Sequence, residues 1–183
     1  MKHITLTDAA AILQTGGVGV IATDTIYGIV GKALDQTVVE RIYDIKQRTP
    51  TKPFIILVSS VDDIHNFGVT ITDSMRQSLL AYWPGPYSMI LDCPNELFAY
   101  LHRGTKSLAF RLPARQDLID LLKVTGPLVA PSANPEGQTP SQTFDEAAKY
   151  FGDTVDFYVE GDVTTKPSTI IKLTNGSEQI IRS

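Results

Sequence analysis

The sequence lacks the residues that several common kinds of site require. It has a single cysteine, Cys93, among 183 residues, which excludes an intramolecular disulfide and a cysteine metal cluster. Its three histidines, His3, His65 and His102, show no metal-ligand spacing, so we expect no resident metal site. A lone cysteine is compatible with a reducing compartment, and we expect a cytoplasmic protein.

Long apolar runs and an excess of basic residues are also missing. No apolar run approaches the ~20 residues of a membrane helix, and the N-terminal residues lack the apolar segment of a signal peptide. We therefore expect no membrane partner. The formal net charge is -4, so no global positive field attracts nucleic acid, although a local basic cleft is compatible with it.

Several catalytic motifs are absent as well. The sequence contains no P-loop, no dinucleotide glycine fingerprint and no nucleophile elbow. Cys93 stands between Asp92 and Pro94 and is better explained as a structural residue than as a nucleophile. Without an evident covalent nucleophile, the sequence favours catalysis by positioning and charge stabilisation.

The composition is that of an ordinary globular protein. With 183 residues, 43% of them apolar, the chain suits a single domain spanning residues 1–183. Apolar periodicity predicts helices over residues 36–46 and 73–82 and a buried strand over 54–58. Helices and strands alternate early and strands dominate late, so we expect an α/β fold, an open twisted mixed sheet with flanking helices.

The segment 17–31 is the first candidate site. The apolar run 18–22 predicts a buried strand, and Thr23, Asp24 and Thr25 follow it directly. Hydroxyls, a carboxylate and glycines at the end of a strand are typical of a ligand site in an α/β protein. A strand followed by a polar turn explains the same residues.

A group of cations lies between the predicted helix and the next strand. Lys46, Arg48 and Lys52 occur within seven residues, and Pro50 and Pro53 stiffen the segment that presents them. A nucleoside triphosphate needs such a group, because its charge must be offset where it leaves water. A solvated basic turn is the alternative.

Arg111 stands inside an apolar strand, between Phe110 and Leu112. An arginine at such a position is seldom buried without a partner. It either pairs with an internal acid or binds a ligand carboxylate through both nitrogens.

Later polar residues give weaker signals. Ser132 and Asn134 follow a short apolar strand and suit phosphate or carboxylate binding, although a plain turn explains them too. Ser141 is a similar candidate in the next loop. Ser168 fits a simple strand residue, and Arg182 fits a terminal surface charge.

Taken in order, these segments resemble the YrdC family, the threonylcarbamoyl-AMP synthases. The resemblance covers nearly the whole chain and is carried by the motifs TDTIYG at 23–28, KQR at 46–48, WPGP at 83–86, AFRLP at 109–113, PSAN at 131–134, PST at 167–169 and IIR at 180–182. It implies a twisted α/β sheet with a positively charged cleft. It also implies synthesis of threonylcarbamoyl-AMP and pyrophosphate from L-threonine, bicarbonate and ATP.

The resemblance assigns roles to individual residues. Thr25, Arg111 and Ser168 would hold threonine, with Arg111 on its carboxylate. The residues around ATP would be Lys46, Arg48, Lys52, Ser107, Ser132, Asn134, Ser141 and Arg182. Lys46 and Arg48 would be catalytic, since they would stabilise charge on the phosphate oxygens, together with Mg²⁺, as threonine carbamate attacks the α-phosphate.

The product would feed a downstream complex that transfers the threonylcarbamoyl group to tRNA.

The sequence departs from the family pattern at four positions: Asp24 replaces a frequent glutamate, Ala22 a proline, Lys52 an asparagine and Leu57 a histidine.

Two other functions are consistent with the resemblance. The first is a non-catalytic YrdC-like module that binds RNA or a nucleotide, and the net charge of -4 argues against more than weak RNA binding. The second is a carbamoyl-transfer partner, against which the absence of zinc-finger cysteines argues.

Overall fold

Nine strands form one mixed sheet in a computed structural model of the chain, which describes residues 2–174 and 177–183. The strands are β1 (Gly19–Ala22), β2 (Tyr27–Lys32), β3 (Ile55–Leu57), β4 (Tyr87–Asp92), β5 (Ser107–Arg111), β6 (Leu128–Val129), β7 (Phe157–Val159), β8 (Thr169–Thr174) and β9 (Ser177–Arg182). Their order is β7-β1-β2-β6-β3-β5-β4-β8-β9. The pairs β1–β7, β3–β5 and β4–β8 are parallel, and the other five are antiparallel. The expected mixed sheet is confirmed.

Six α-helices in the described part of the chain flank the sheet. They are α1 (Leu6–Gln14), α2 (Gln36–Lys46), α3 (Asp73–Tyr82), α4 (Ala99–His102), α5 (Gln116–Thr125) and α6 (Phe144–Phe151). Short 3₁₀ helices cover Val61–Phe67, Glu96–Phe98 and Gly152–Thr154. Within the described residues, no helix is both long and apolar enough to span a membrane.

The residues at the two ends of helix α2 explain where it begins and ends. The Asp35 carboxylate accepts a hydrogen bond from the Val38 amide at the first turn, which satisfies one of the free donors of a helix N-terminus. The helix ends where Gln47 takes the left-handed backbone conformation, with φ of 51°. This turn ends the helix and begins the cationic segment 46–52, which leads into β3.

Strand β2 is the element that the apolar pattern does not predict. It pairs antiparallel with β1, with Ala22 opposite Tyr27, so the Thr-Asp-Thr segment is a tight hairpin turn rather than a long loop. Almost every β2 residue is buried, which removes the alternation that marks a half-exposed strand. Gly31 contributes to this packing, because a Cβ atom there would collide with Val38 and contact Ile42 of α2.

Apolar cores lie on both faces of the sheet. In β1, Val20 and Ala22 belong to one buried cluster and Ile21 to the other, as expected for alternating side chains. Helices α1 and α5 cover the Ile21 face, whereas α2 and α3 contribute to the opposite core. The rigid sheet fixes the strand ends that carry the candidate site.

Candidate functional site

A cleft of about 250 Å³ opens where the β1–β2 turn, the segments before β3 and after β6, and strands β5, β8 and β9 meet. Its lining residues are Thr23, Thr25, Ile26, Gly28, Arg48, Pro53, Phe54, Ile55, Arg111, Ala130, Pro131, Ser132, Pro140, Pro167, Ser168, Ile170 and Arg182. This lining contains three arginines and, among the described residues, no carboxylate. The cleft is therefore a local positive site in a protein of net negative charge.

One wall of the cleft is the buried guanidinium of Arg111. Its Nη1 donates to Thr25 Oγ1 at 2.7 Å, and its Nη2 lies 3.5 Å from Thr23 Oγ1. Its Nη2 also lies 3.2 Å from Asp24 Oδ1. Of the two partners that the sequence allows for Arg111, the structure shows the internal acid.

The Arg111–Asp24 pair is held from both sides. Asp24 Oδ2 accepts a hydrogen bond from the Ala114 amide at 3.0 Å. Among the described residues, Arg111 Nε and Asp24 Oδ1 have no hydrogen-bond partner, so the 3.2 Å approach is an electrostatic contact. Burial lowers the pKa of Arg111, and the neighbouring Asp24 carboxylate opposes that shift. The hairpin turn thus orients Arg111 and supplies the countercharge to its guanidinium.

A second wall of the cleft involves β4, β8 and β9. The buried hydroxyls of Ser168 and Ser88 lie 2.8 Å apart, and the Ser168 carbonyl accepts from Arg182 Nη2 at 2.8 Å. Partial desolvation lowers the pKa of Arg182, although the residue as a whole is exposed. Arg182 is therefore held in a paired strand instead of lying on a free tail, because Ile170 of β8 faces it in the sheet.

Arg48 enters the cleft from the end of α2. Its Nε donates to the Lys52 carbonyl at 3.1 Å and its Nη2 to the Pro53 carbonyl at 3.3 Å. The guanidinium carbon lies 5.4 Å from the centre of the Phe54 ring. Burial lowers the pKa of Arg48, so its charge is partly removed from water and is available to a bound anion.

Lys46 is buried behind the cleft and is not part of its lining. Its side chain is almost fully enclosed, with 1% of the residue exposed, and its Nζ donates to the carbonyls of Ser132 and Asn134. Burial, with a smaller contribution from Arg48, lowers the pKa of Lys46 to about 7. In this structure Lys46 supports the segment after β6 rather than presenting a free cation.

Lys52 lies outside the cleft, where it forms an ion pair with Glu136. The Glu136 carboxylate also accepts a hydrogen bond from the Thr49 amide, and the Glu136 amide donates to the Lys46 carbonyl at 2.9 Å. The bond from Lys52, followed by that from Thr49, lowers the pKa of Glu136 to about 2. These contacts tie loop 135–141 to the cationic segment.

Three further predicted residues lie outside the cleft lining. Asn134 donates to the carbonyls of Pro135 and Gln138 at 2.9 and 2.7 Å, and Ser141 donates to the Ala133 carbonyl. Both stabilise the loop after β6. Ser107 begins β5 opposite Asp92.

Ser107 and Arg111 occupy the two ends of β5. Four residues at about 3.3 Å each separate their backbones by about 13 Å. The structure does not bring Ser107 to the cleft.

The structure thus gathers six of the predicted residues in one cleft: Thr25, Arg48, Arg111, Ser132, Ser168 and Arg182. It places Lys46, Lys52, Ser107, Asn134 and Ser141 outside the lining. The sequence places Asp24 in the first candidate site but does not identify it as the partner of Arg111, and it indicates no role for Phe54, Ser88 or Glu136. Of these residues, only Asp24 could have been inferred from the sequence, because a buried arginine such as Arg111 requires an acidic partner.

The structure shows what surrounds Leu57 and Lys52, two of the residues that depart from the family pattern. Leu57 is 1% exposed in the apolar core on the α1 and α5 face, so this position lies outside the cleft lining. Lys52 is matched by Glu136. Among residues 2–174 and 177–183, no group of three or more histidine, cysteine, aspartate or glutamate side chains is arranged to hold a metal ion.

The chain matches a known protein family over most of its length. The model of the family Sua5_yciO_yrdC, described as "Telomere recombination", matches residues 11–183. The chain is 30% identical over 174 residues to the threonylcarbamoyl-AMP synthase of Marinobacter nauticus, covering 93% of this chain and 92% of that protein. It is 29% identical over 173 residues to the same-named enzyme of Hahella chejuensis, with 92% and 94% covered.

Solved structures show the same fold. Pyrococcus abyssi Sua5 complexed with L-threonine superposes with a TM-score of 0.88 at 26% identity, covering 97% of this chain and 53% of that one. The chain therefore spans about half the length of that protein. Escherichia coli YciO superposes with a TM-score of 0.84 at 24% identity, covering 97% of this chain and 88% of that one.

Proposed function

The chain belongs to the Sua5/YciO/YrdC family, and on that basis we propose that it is an L-threonylcarbamoyladenylate synthase. The proposed reaction joins L-threonine, bicarbonate and ATP. The threonine amine attacks the bicarbonate carbon, water is lost and a carbamate forms. A carbamate oxygen then attacks the α-phosphate of ATP, the bond to the β-phosphate oxygen breaks, and pyrophosphate leaves. The observation that carries this proposal is the cleft lined by three arginines and by none of the described carboxylates.

The threonine side of the cleft would consist of Thr25, Arg111 and Ser168. Arg111 lines the cleft and is already oriented by Thr25 and Asp24. A guanidinium that is fixed before binding loses little entropy when it takes up a carboxylate. The hydroxyls of Thr25 and Ser168 would bind the remaining polar groups of the amino acid.

The ATP side would consist of Arg48, Ser132 and Arg182. Two arginines offset phosphate charge. Arg48 is half-buried, which strengthens its interaction with an anion, whereas Arg182 is more exposed. Arg48 would stabilise the charge that develops on the α-phosphate. Lys46, the other residue of the predicted catalytic pair, would first have to release the Ser132 and Asn134 carbonyls.

Mg²⁺ would reach the cleft as part of the ATP complex. Among the described residues, the cleft lining offers no carboxylate, so the lining does not fit a resident Mg²⁺. The phosphates would supply the ligands of the ion.

The product is a mixed anhydride of a carbamate and a phosphate, which must be consumed by a transfer reaction. We assign that step to a downstream complex that modifies tRNA. We also assign the whole synthase reaction to a single domain, because one continuous sheet holds both sides of the cleft.

The test is pyrophosphate release from ATP in bicarbonate buffer, with L-threonine, with L-serine and without an amino acid. We expect release that depends on L-threonine and is slower with L-serine. The Arg48→Ala variant should lose most of this activity, whereas Arg76→Ala, at an exposed ion pair with Asp62, should retain it. Salt-dependent RNA binding without ATP turnover would instead support a binding module.

A further inference from the structure

Four side chains form a stacked column that runs from the end of α4 to the cleft. The Arg103 guanidinium carbon lies 4.0 Å from the centre of the Tyr43 ring. The Tyr43 and Phe54 rings stack with centroids 4.0 Å apart and an interplanar angle of 21°. Arg48 lies against Phe54 at 5.4 Å. Arg103 and Phe54 must cover opposite faces of Tyr43, because both cannot occupy one face at these distances.

Tyr43 holds Arg48 by a second route. Its hydroxyl donates to the Lys52 carbonyl at 2.9 Å, the same oxygen that accepts from Arg48 Nε at 3.1 Å. Tyr43 therefore fixes both the ring beneath the guanidinium and one of the two carbonyls that orient it. The turn at 49–52 is exposed, so without this anchor it would supply a less rigid acceptor.

The far end of the column is also restrained. Arg103 Nη2 pairs with Glu40 Oε2 at 2.8 Å, and the Arg103 side chain is 14% exposed. Tyr43 and Phe54 are 5% and 3% exposed. A guanidinium over an aromatic face is attracted most strongly where water is excluded, so the Arg103 contact holds the Tyr43 ring in place.

We propose that Tyr43 and Arg103 are positioning residues for Arg48, although neither belongs to the cleft lining. They hold the Phe54 ring and the Lys52 carbonyl so that the Arg48 guanidinium faces the cleft in one orientation before ATP binds. A flexible arginine would lose side-chain entropy on binding, and prior restraint removes that cost. The inference rests on the proposed function in one respect, the assignment of Arg48 to ATP.

The test measures ATP affinity by calorimetry, together with KM for ATP and for L-threonine. Arg103→Met removes the cation but keeps an apolar side chain of similar length. We expect it to weaken ATP binding several-fold, because a less restrained Arg48 loses more side-chain entropy on binding, with the KM for L-threonine unchanged. Arg103→Lys should restore most of the affinity. Tyr43→Phe, which keeps the ring and loses the hydroxyl, should weaken ATP binding less than Tyr43→Leu.

Arg76→Met is the matched control, since its ion pair with Asp62 is exposed. An Arg103→Met variant with wild-type ATP affinity, or with both KM values changed equally, would overturn the positioning role. So would failure of Arg103→Lys to restore binding in a folded variant.

Calorimetric measurement of ATP affinity tests the positioning role of Tyr43 and Arg103 separately from the proposed reaction. A wild-type protein that binds ATP without threonine-dependent turnover would overturn the synthase proposal, while weaker ATP binding in Arg103→Met would still support positioning. A wild-type protein that does not bind ATP would overturn both.

Discussion

Asp24 Oδ1 lies 3.2 Å from Arg111 Nη2, in an ion pair whose side chains are only 6% and 5% exposed. The two residues come from a hairpin turn and from a strand elsewhere in the sheet. Neither charge could be buried alone without a large desolvation cost. Asp24 therefore allows the fold to place an arginine at the wall of a cleft.

Removal of the Asp24 charge should leave Arg111 as an uncompensated buried cation. For Asp24→Asn we expect a loss of unfolding free energy of about 3–5 kcal/mol, measured by urea denaturation. We also expect weaker threonine binding, because Arg111 would lose its orientation.

Asp24→Glu keeps the charge and should cost less stability than Asp24→Asn. As a matched control, Asp120→Asn breaks the exposed pair with Lys123 and should change stability by less than about 1 kcal/mol. An Asp24→Asn protein as stable as the wild type would show that the pair is not needed to bury Arg111.

Lys46 should make stability depend on pH. Its pKa in the folded protein is lowered to about 7, against about 10.4 in an unfolded chain. Between these values the unfolded state binds the additional proton, so stability rises with pH. Relative to Lys46→Met, the wild type should gain at most about 1.4 kcal/mol per pH unit from pH 7 towards pH 10.

This difference is measured by denaturation of both proteins at several pH values. Lys149→Met, at an exposed lysine, should show no such gain. A pH-independent difference between wild type and Lys46→Met would mean that Lys46 stays charged when buried.

The two predicted ATP-site serines should behave differently. Ser132 lines the cleft, whereas Ser107 begins β5 at the opposite end from Arg111. We expect Ser132→Ala to raise the KM for ATP by about tenfold or more, the value of one hydrogen bond to a charged group. Ser107→Ala should leave the KM for ATP unchanged, and an equal effect of both variants would contradict the position of Ser107.

The Glu136 carboxylate lies where a bound phosphate could otherwise sit, because it accepts hydrogen bonds from Lys52 Nζ and from the Thr49 amide. Glu136→Gln should free Lys52 for phosphate and lower the KM for ATP by about two- to fivefold at low ionic strength. Salt should remove this gain, because it screens exposed charges.

Asp62→Asn is the control for Glu136→Gln, since it removes an exposed acid from another ion pair. A higher KM for ATP in Glu136→Gln would show that the ion pair supports the loop rather than competing with phosphate.

Local signals were sufficient for much of the fold. Helix α2 covers 36–46 and α3 covers 73–82, as the apolar periodicity predicts, because one buried face and a capping residue specify a helix locally. Strand β2 escaped prediction, since its residues are buried on both faces and include two glycines. A strand of that kind lacks the period of two.

Local order along the chain specifies which kinds of groups the site can contain: hydroxyls and an acid after β1, cations after α2, and an arginine within β5. The cost of burying charge adds that the strand arginine needs a partner. Which of the cations face the cleft depends on the fold. Arg48, Arg111 and Arg182 line it, whereas Lys46 is bound to two carbonyls and Lys52 to Glu136. The partners of Lys46, Lys52 and Arg111 come from segments distant in sequence, and folding alone brings them into contact.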